Sequence, residues 1–214
     1  MKSLVNKAFS YLDYLIKPSL EELGGILGDQ VKVLRYQNQL RLVQKVKKKH
    51  RDRGISPRQI PLKTIASMLN HASYEEEPRL VDMWASLLAN ATDSDNQIDY
   101  HHVLSKILSE MSSHEALVMS SLAKRVTNNS GVSYFDRGTI VKLLDPDNSD
   151  QMDIKAKSSA QIVIDNFVRL GLISIRPPNT SGKARFFKHI QRSRYEFTML
   201  GKTFIQECEI ISNL

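Results

Sequence analysis

Apolar residues recur at three- and four-residue steps over most of this chain, and that spacing predicts helices. Leu20, Leu23, Leu27, Val31, Leu34, Leu42 and Val46 form one stripe, with Asn38 filling its one gap. The stripe predicts a long amphipathic first helix, or two helices broken near Gly24, Gly25 and Gly28, because glycine is poor in a helix interior. It runs out in "KVKKKHRDRG", where Gly54 is a stop and the basic residues suit the negative end of the helix dipole. A linker holding Pro57 and Pro61 follows, and Pro61 opens a helix through Asn70 with Leu62, Ile65, Ala66 and Leu69 on one face. Next comes "YEEEPRLVDMWASLLANATD". Pro78 suits the first helical position, where its missing N–H needs no partner. Glu75, Glu76 and Glu77 are placed in the first turn, which welcomes negative charge. Leu80, Trp84, Leu87, Leu88 and Ala91 then form one buried face, and Asn90, Asp93, Asp95 and Asn96 end the helix in a polar turn. "YHHVLSKILSEM" gives a short helix with Val103, Leu104, Ile107 and Leu108 inside.

From Ser113 the pattern shifts. "SHEALVMSSLAKRV" reads as a helix capped by Ser112 or Ser113, and "SYFDRGTIVKLL" as a short strand and a second helix stopped by "DPDNSD". "DIKAKSSAQIVIDNFVRLGLI" predicts a third helix, with Ile162, Phe167, Val168 and Leu170 offered to a core. Gly171 stops it in the left-handed conformation. "LISIR" and the alternating "RYEFT" read as two strands joined through a hairpin tip, and "MLGKTFIQECEII" as a closing helix. Three helices followed by a two-stranded hairpin is the order of a winged helix-turn-helix. The expected fold is therefore mainly α, with a helical domain over residues 1–110 and a winged-helix-like domain with a small β-hairpin over 111–214.

Charge changes the picture more than composition does. The chain of 214 residues carries a formal +7, unevenly spread. Residues 1–56 hold 12 basic and 5 acidic side chains, residues 57–110 hold 4 and 8, and residues 154–195 hold 9 and 1. Two basic blocks flanking an acidic middle point to an anionic partner, or to halves that attract each other. The single cysteine, Cys208, excludes an intramolecular disulfide and a multi-cysteine zinc site, which reads as intracellular and cytoplasmic. No stretch reaches the roughly 18 continuous apolar residues of a membrane span, and the first residues lack the pattern of a cleavable leader.

The chemistry-bearing residues do not assemble into a catalytic pattern. There is no nucleophile elbow, P-loop or G-x-G-x-x-G. The histidines form no H-x-x-x-H pair, and the neighbours His101 and His102 diverge by about 100° on a helix, which suits surface positions rather than one metal. Cys208 is expected to be buried and inert in the closing helix. Asp145, Asp147, Asp150 and Asp153 read as a turn, since turns favour aspartate; a divalent metal bound there would instead mark a hidden enzyme. No catalytic residue, cofactor or metal is expected. The basic block is the strongest binding signal. Arg176, Lys183, Arg185, Lys188, Arg192 and Arg194 fall on or near the wing, Lys155 and Lys157 on the third helix, with Phe186, Phe187 and Tyr195 interleaved. In a DNA-binding winged helix the wing meets the backbone or minor groove and the third helix enters the major groove. Ser158, Ser159, Gln161, Asn166 and Arg169 on that helix are of types that read bases.

"SLEELGGILGDQVKVLRYQNQLRLVQKV", "PLKTIASMLNHASYEEEPRLVDMWASLLANATD" and "HHVLSKILSEMSSHEALVMSSL" together resemble the Abi-alpha family of bacteria, over about residues 18–210. The most specific piece runs from Glu75 to Ala91, with Glu76, Trp84, Leu87, Leu88 and Asn90 as signature positions of structural character. The family is named for abortive infection, a defence against phage. The resemblance implies an intracellular, mostly helical defence protein and supplies no catalytic residues. The expectation is a non-enzymatic protein that binds a protein partner or nucleic acid, and the alternative is a winged-helix DNA-binding transcriptional regulator. The long first helix either packs across both halves or forms a homodimer seam.

Overall fold

The computed structural model describes residues 30–128, 134–144, 154–176 and 194–210. Its elements run α1 Gln30–Arg53, α2 Leu62–Ala72, α3 Pro78–Ala91, α4 His101–Ser109, α5 Ser113–Asn128, β1 Phe135–Asp136, α6 Arg137–Leu144, α7 Ile154–Arg169, β2 Ile173–Arg176, β3 Arg194–Phe197 and α8 Met199–Glu207. The protein is mainly helical with a small three-stranded antiparallel sheet. Its contacts form two units. The first holds α1 to α4 and Met111, together with Glu207, Cys208 and Glu209; the second holds the described residues of 112–206 and Ile210. The glycines near position 25 lie outside the described residues.

In the first unit, α3 packs against α1, α2 and α4. The expected face of Leu80, Trp84, Leu87, Leu88 and Ala91 is buried, but so are Met83, Ala85, Ser86 and Ala89 on the other sides. A helix packed against three others keeps only a narrow solvent side, here Arg79, Val81 and Asp82, and small residues such as Ala85, Ser86 and Ala89 fill the close contacts. Gly54 closes α1 at φ +66°, the left-handed backbone that glycine adopts without steric cost. The buried part of α1 is Leu42, Val43, Val46 and His50. Leu34, expected in the stripe, is 56% exposed. At that level α1 meets a polar turn instead of a core. Arg35 Nη2 donates to Asn70 Oδ1 at 2.6 Å, and Asn38 Nδ2 donates to the Ser73 carbonyl at 3.1 Å. The gap at Asn38 is thus a tertiary hydrogen bond.

The acids before α3 also differ from expectation. The helix begins at Pro78, so Glu77 is its N-cap, accepting from the Arg79 N–H, and no acid lies in the first turn. Glu75 Oε1 takes the N–H groups of Glu76 and Glu77, so the three acids serve to turn the chain into the helix.

The second unit opens on a reciprocal cap. Ser112 N–H donates to Glu115 Oε2 at 2.8 Å and Glu115 N–H to Ser112 Oγ at 3.3 Å, which makes Ser112, not Ser113, the cap of α5. Asp136 Oδ1 caps α6 through the Thr139 N–H. The sheet order is β1-β3-β2, with Phe135 opposite Tyr195 and Arg176 opposite Arg194. Phe135 packs its ring near Tyr195 and Phe197, with centroids 6.1 and 5.6 Å away. Gly171, at φ +72°, ends the turn after α7 as expected. The buried face of α7 is Ala160, Val163, Ile164 and Phe167. Ile162 and Val168 were expected in the core and are instead 68% and 40% exposed. "QIVIDNFV" offers two overlapping apolar stripes, and residues 162 and 164 lie about 200° apart on a helix, so only one can face inward.

Candidate nucleic-acid interface

The pairing of β2 with β3 sets two arginines side by side, where the chain leaves β2 and enters β3. Tyr134, just before β1, lies beneath both. The Arg194 guanidinium sits 4.4 Å from the Tyr134 ring centroid and that of Arg176 sits 5.5 Å away, both within the range where a cation is drawn to a ring face. Arg176 also faces Glu196 across the strands at 3.6 Å. The result is an exposed ledge of two guanidinium groups on an aromatic support. Such groups grip phosphates and stack on bases.

On α7, Lys155 is exposed and Lys157 half-buried. The expected base-reading residues are partly committed elsewhere. Ser158 Oγ donates to the Ile154 carbonyl, and Gln161 donates to Asp165. Asn166 Nδ2 donates to Glu115 Oε1 at 2.5 Å, while its Oδ1 accepts from Arg169 Nε at 3.0 Å and Nη2 at 2.7 Å. Asn166 therefore ties α7 to the cap of α5. Lys183, Arg185, Lys188 and Arg192 lie outside the described residues, as do Asp145, Asp147, Asp150 and Asp153. Tyr134 was not singled out in the sequence; its only local signal is an aromatic pair, Tyr134 and Phe135, at the edge of a two-residue strand.

The signature positions belong to the first unit. Glu76 is exposed, and Trp84, Leu87 and Leu88 are buried. Trp84 lies parallel to the His71 ring, with centroids 6.2 Å apart and planes 9° apart. Asn90 does more than end its helix: its Nδ2 donates to the Glu207 carbonyl at 2.8 Å and its Oδ1 accepts from Arg53 at 3.1 Å. Around it, residues 207–209 are held from several sides. Glu207 accepts from Asn96 Nδ2 at 2.9 Å and meets His101 Nε2 at 3.0 Å. Glu209, in left-handed backbone at φ 48°, pairs with Arg53 and with Lys49 at 2.9 Å. Ser86 Oγ donates to the Glu209 carboxylate at 3.2 Å.

His101 is thereby buried, not on the surface as the sequence suggested, while its neighbour His102 is exposed; the 100° step between them sends one inward. Cys208 is buried as expected, but in a turn beyond α8. Burial, reinforced by Glu207 and Glu209, pushes its thiol well above the ordinary range. His50 is held below its ordinary value chiefly by burial. Its Nε2 lies 3.2 Å from the Ala89 carbonyl and 3.0 Å from Thr92 Oγ1.

Among the described residues, no three His, Cys, Asp or Glu side chains gather closely enough to hold a metal ion. No helix among them is long and apolar enough to cross a membrane. No curated protein and no solved structure matches the chain. The family model described as abortive infection alpha matches residues 30–208, a span that takes in the signature helix, Asn90 and its partner Glu207, and the chain belongs to that Abi-alpha family.

Proposed function

We propose that this Abi-alpha protein takes part in defence against phage by binding rather than by catalysis, and that its second unit grips nucleic acid. The family name supports the setting. The order helix, strand, helix, helix, strand, strand, with a β1-β3-β2 sheet, is in keeping with a winged helix-turn-helix. The observation that carries the reading is the pair Arg176 and Arg194 on Tyr134, where β2 ends and β3 begins.

The test is a salt series of the full chain binding random-sequence duplex DNA. Changing Arg176 and Arg194 to glutamate should weaken binding about tenfold or more and lower the salt slope by about 1–2, since each lost phosphate contact removes roughly one released counterion. Affinity that ignores both salt and charge reversal would remove the reading. A regulator would in addition prefer one sequence over random duplex.

A protein partner is the second reading, favoured by the outward side of α7. Ile154 and Ile162 are 80% and 68% exposed there, with Asp165 exposed between Ile162 and Val168. Apolar residues beside a carboxylate suit a protein surface better than a phosphate backbone. Absence of DNA binding, together with capture of a partner that is lost on Ile162→Asp, would favour it.

A further inference from the structure

We propose that the cleft between α2 and α4 in the first unit binds a phosphorylated small molecule with a flat ring, of nucleotide size. The cleft measures about 730 Å³, within the roughly 300–1,000 Å³ of small-molecule sites. Two polar helix sides face it. From α2 come Lys63, Thr64, Ser67 and His71, spaced so that they share one side of the helix. From α4 come His101, His102, Ser105, Lys106 and Ser109, of which the last four share one side of the helix.

Three features point to an anion. First, Arg58, Lys63 and Lys106 line the cleft against Asp99 and Glu110, which leaves a surplus of positive charge. Second, both helices start at the cleft without a side-chain cap. Their N-caps are Pro61 and Tyr100, whose side chains accept nothing from the helix. Their carbonyls take the N–H groups of Thr64, Ile65, Val103 and Leu104, which leaves the N–H groups of the first two residues of each helix for an outside acceptor, and the positive dipole ends add to the field. Third, Arg58 Nε is buried with no hydrogen-bond partner. The backbone holds this residue in place: its N–H donates to the Thr92 carbonyl at 2.6 Å, beside the Pro57–Asp93 bridge. Burying a guanidinium donor without an acceptor is unfavourable, and a bound phosphate oxygen would relieve it.

The rest of the wall suits a ring. Ile60, Pro61 and Ala91 are apolar, and the His71 ring is backed by the parallel ring of Trp84, which leaves a supported flat surface for stacking.

Trp84 is the only tryptophan in the chain, so its emission reports on this site. The experiment titrates the full chain with AMP, with adenosine and with inorganic phosphate as comparison probes. AMP should change Trp84 emission saturably with a Kd below about 1 mM. Adenosine should bind at least about tenfold more weakly, and phosphate should displace AMP. Changing Lys63 and Lys106 to glutamate, both exposed side chains, should weaken AMP at least about tenfold with the thermal midpoint unchanged. The variant with Arg176 and Arg194 changed to glutamate should bind AMP as the parent does, which separates this site from the DNA reading. No saturable response to AMP, equal affinity for adenosine, or indifference to the Lys63 and Lys106 reversal would each overturn the proposal.

Discussion

Asn90 donates a hydrogen bond to the backbone carbonyl of Glu207, 2.8 Å away and 117 positions further along the chain. The signature helix α3 thereby holds a segment from the far end of the chain, and the same side chain accepts from Arg53 of α1. One amide joins three parts of the first unit. Asn90→Ala removes both bonds and leaves a carbonyl short of a donor, so it should cost about 1–3 kcal/mol. Urea unfolding of the full chain measures this; a loss under about 0.5 kcal/mol would mean that the segment is held without Asn90.

The Cys208 thiol gives an independent view of the same segment. It is buried, and its burial and the flanking carboxylates disfavour the thiolate. Only the thiolate attacks a disulfide reagent, so labelling of the native protein should run at least about a hundredfold slower than in denaturant. Asn90→Ala should speed native labelling, because loosening residues 207–209 uncovers the thiol. Fast labelling of the unaltered chain would contradict the burial.

His50 makes stability fall on the acid side of neutrality. Its folded value lies below the ordinary one, so between the two the unfolded chain binds the extra proton, and stability rises with pH. The contribution is complete above the unfolded value of about 6.5 and is lost as pH falls from there towards the folded value. His50→Gln should flatten this part of the curve, measured as urea midpoints at about pH 7.5 and about pH 5.5. An unchanged slope in the variant would show that His50 stays neutral in both states or is charged in both.

Gly201 leaves no room for a side chain. A Cβ there would stand 2.0 Å from the Leu172 carbonyl oxygen, and the obstacle is backbone that cannot swing aside. Thr198 at the same helix start holds the Gly171 carbonyl at 2.5 Å, so α8 and the turn after α7 are locked together. Gly201→Ala should destabilise by about 3 kcal/mol or more, beyond an ordinary overpacking penalty. Gly171→Ala should cost less, about 1–2 kcal/mol for left-handed backbone. The order of the two thermal midpoints is the check.

What the sequence determined by itself was local. A 3.6-residue period is a property of one helix, so α1 through α8 could be located, and stops such as Gly54 and Gly171 follow from backbone sterics that need no partner. The Abi-alpha signature was legible for the same reason, as a compact run from Glu75 to Ala91. The tertiary structure decided which face of each helix turns inward. Ile162 and Ile164 are equally apolar, and only the packing of α7 selects Ile164; Asn38 and His101 look like surface residues until Ser73 and Glu207 arrive beside them. The cleft between α2 and α4 and the ledge on Tyr134 likewise combine residues from separate elements. Hydrogen bonds and burial depend on distance in space, and no period along the chain encodes a contact between positions 90 and 207.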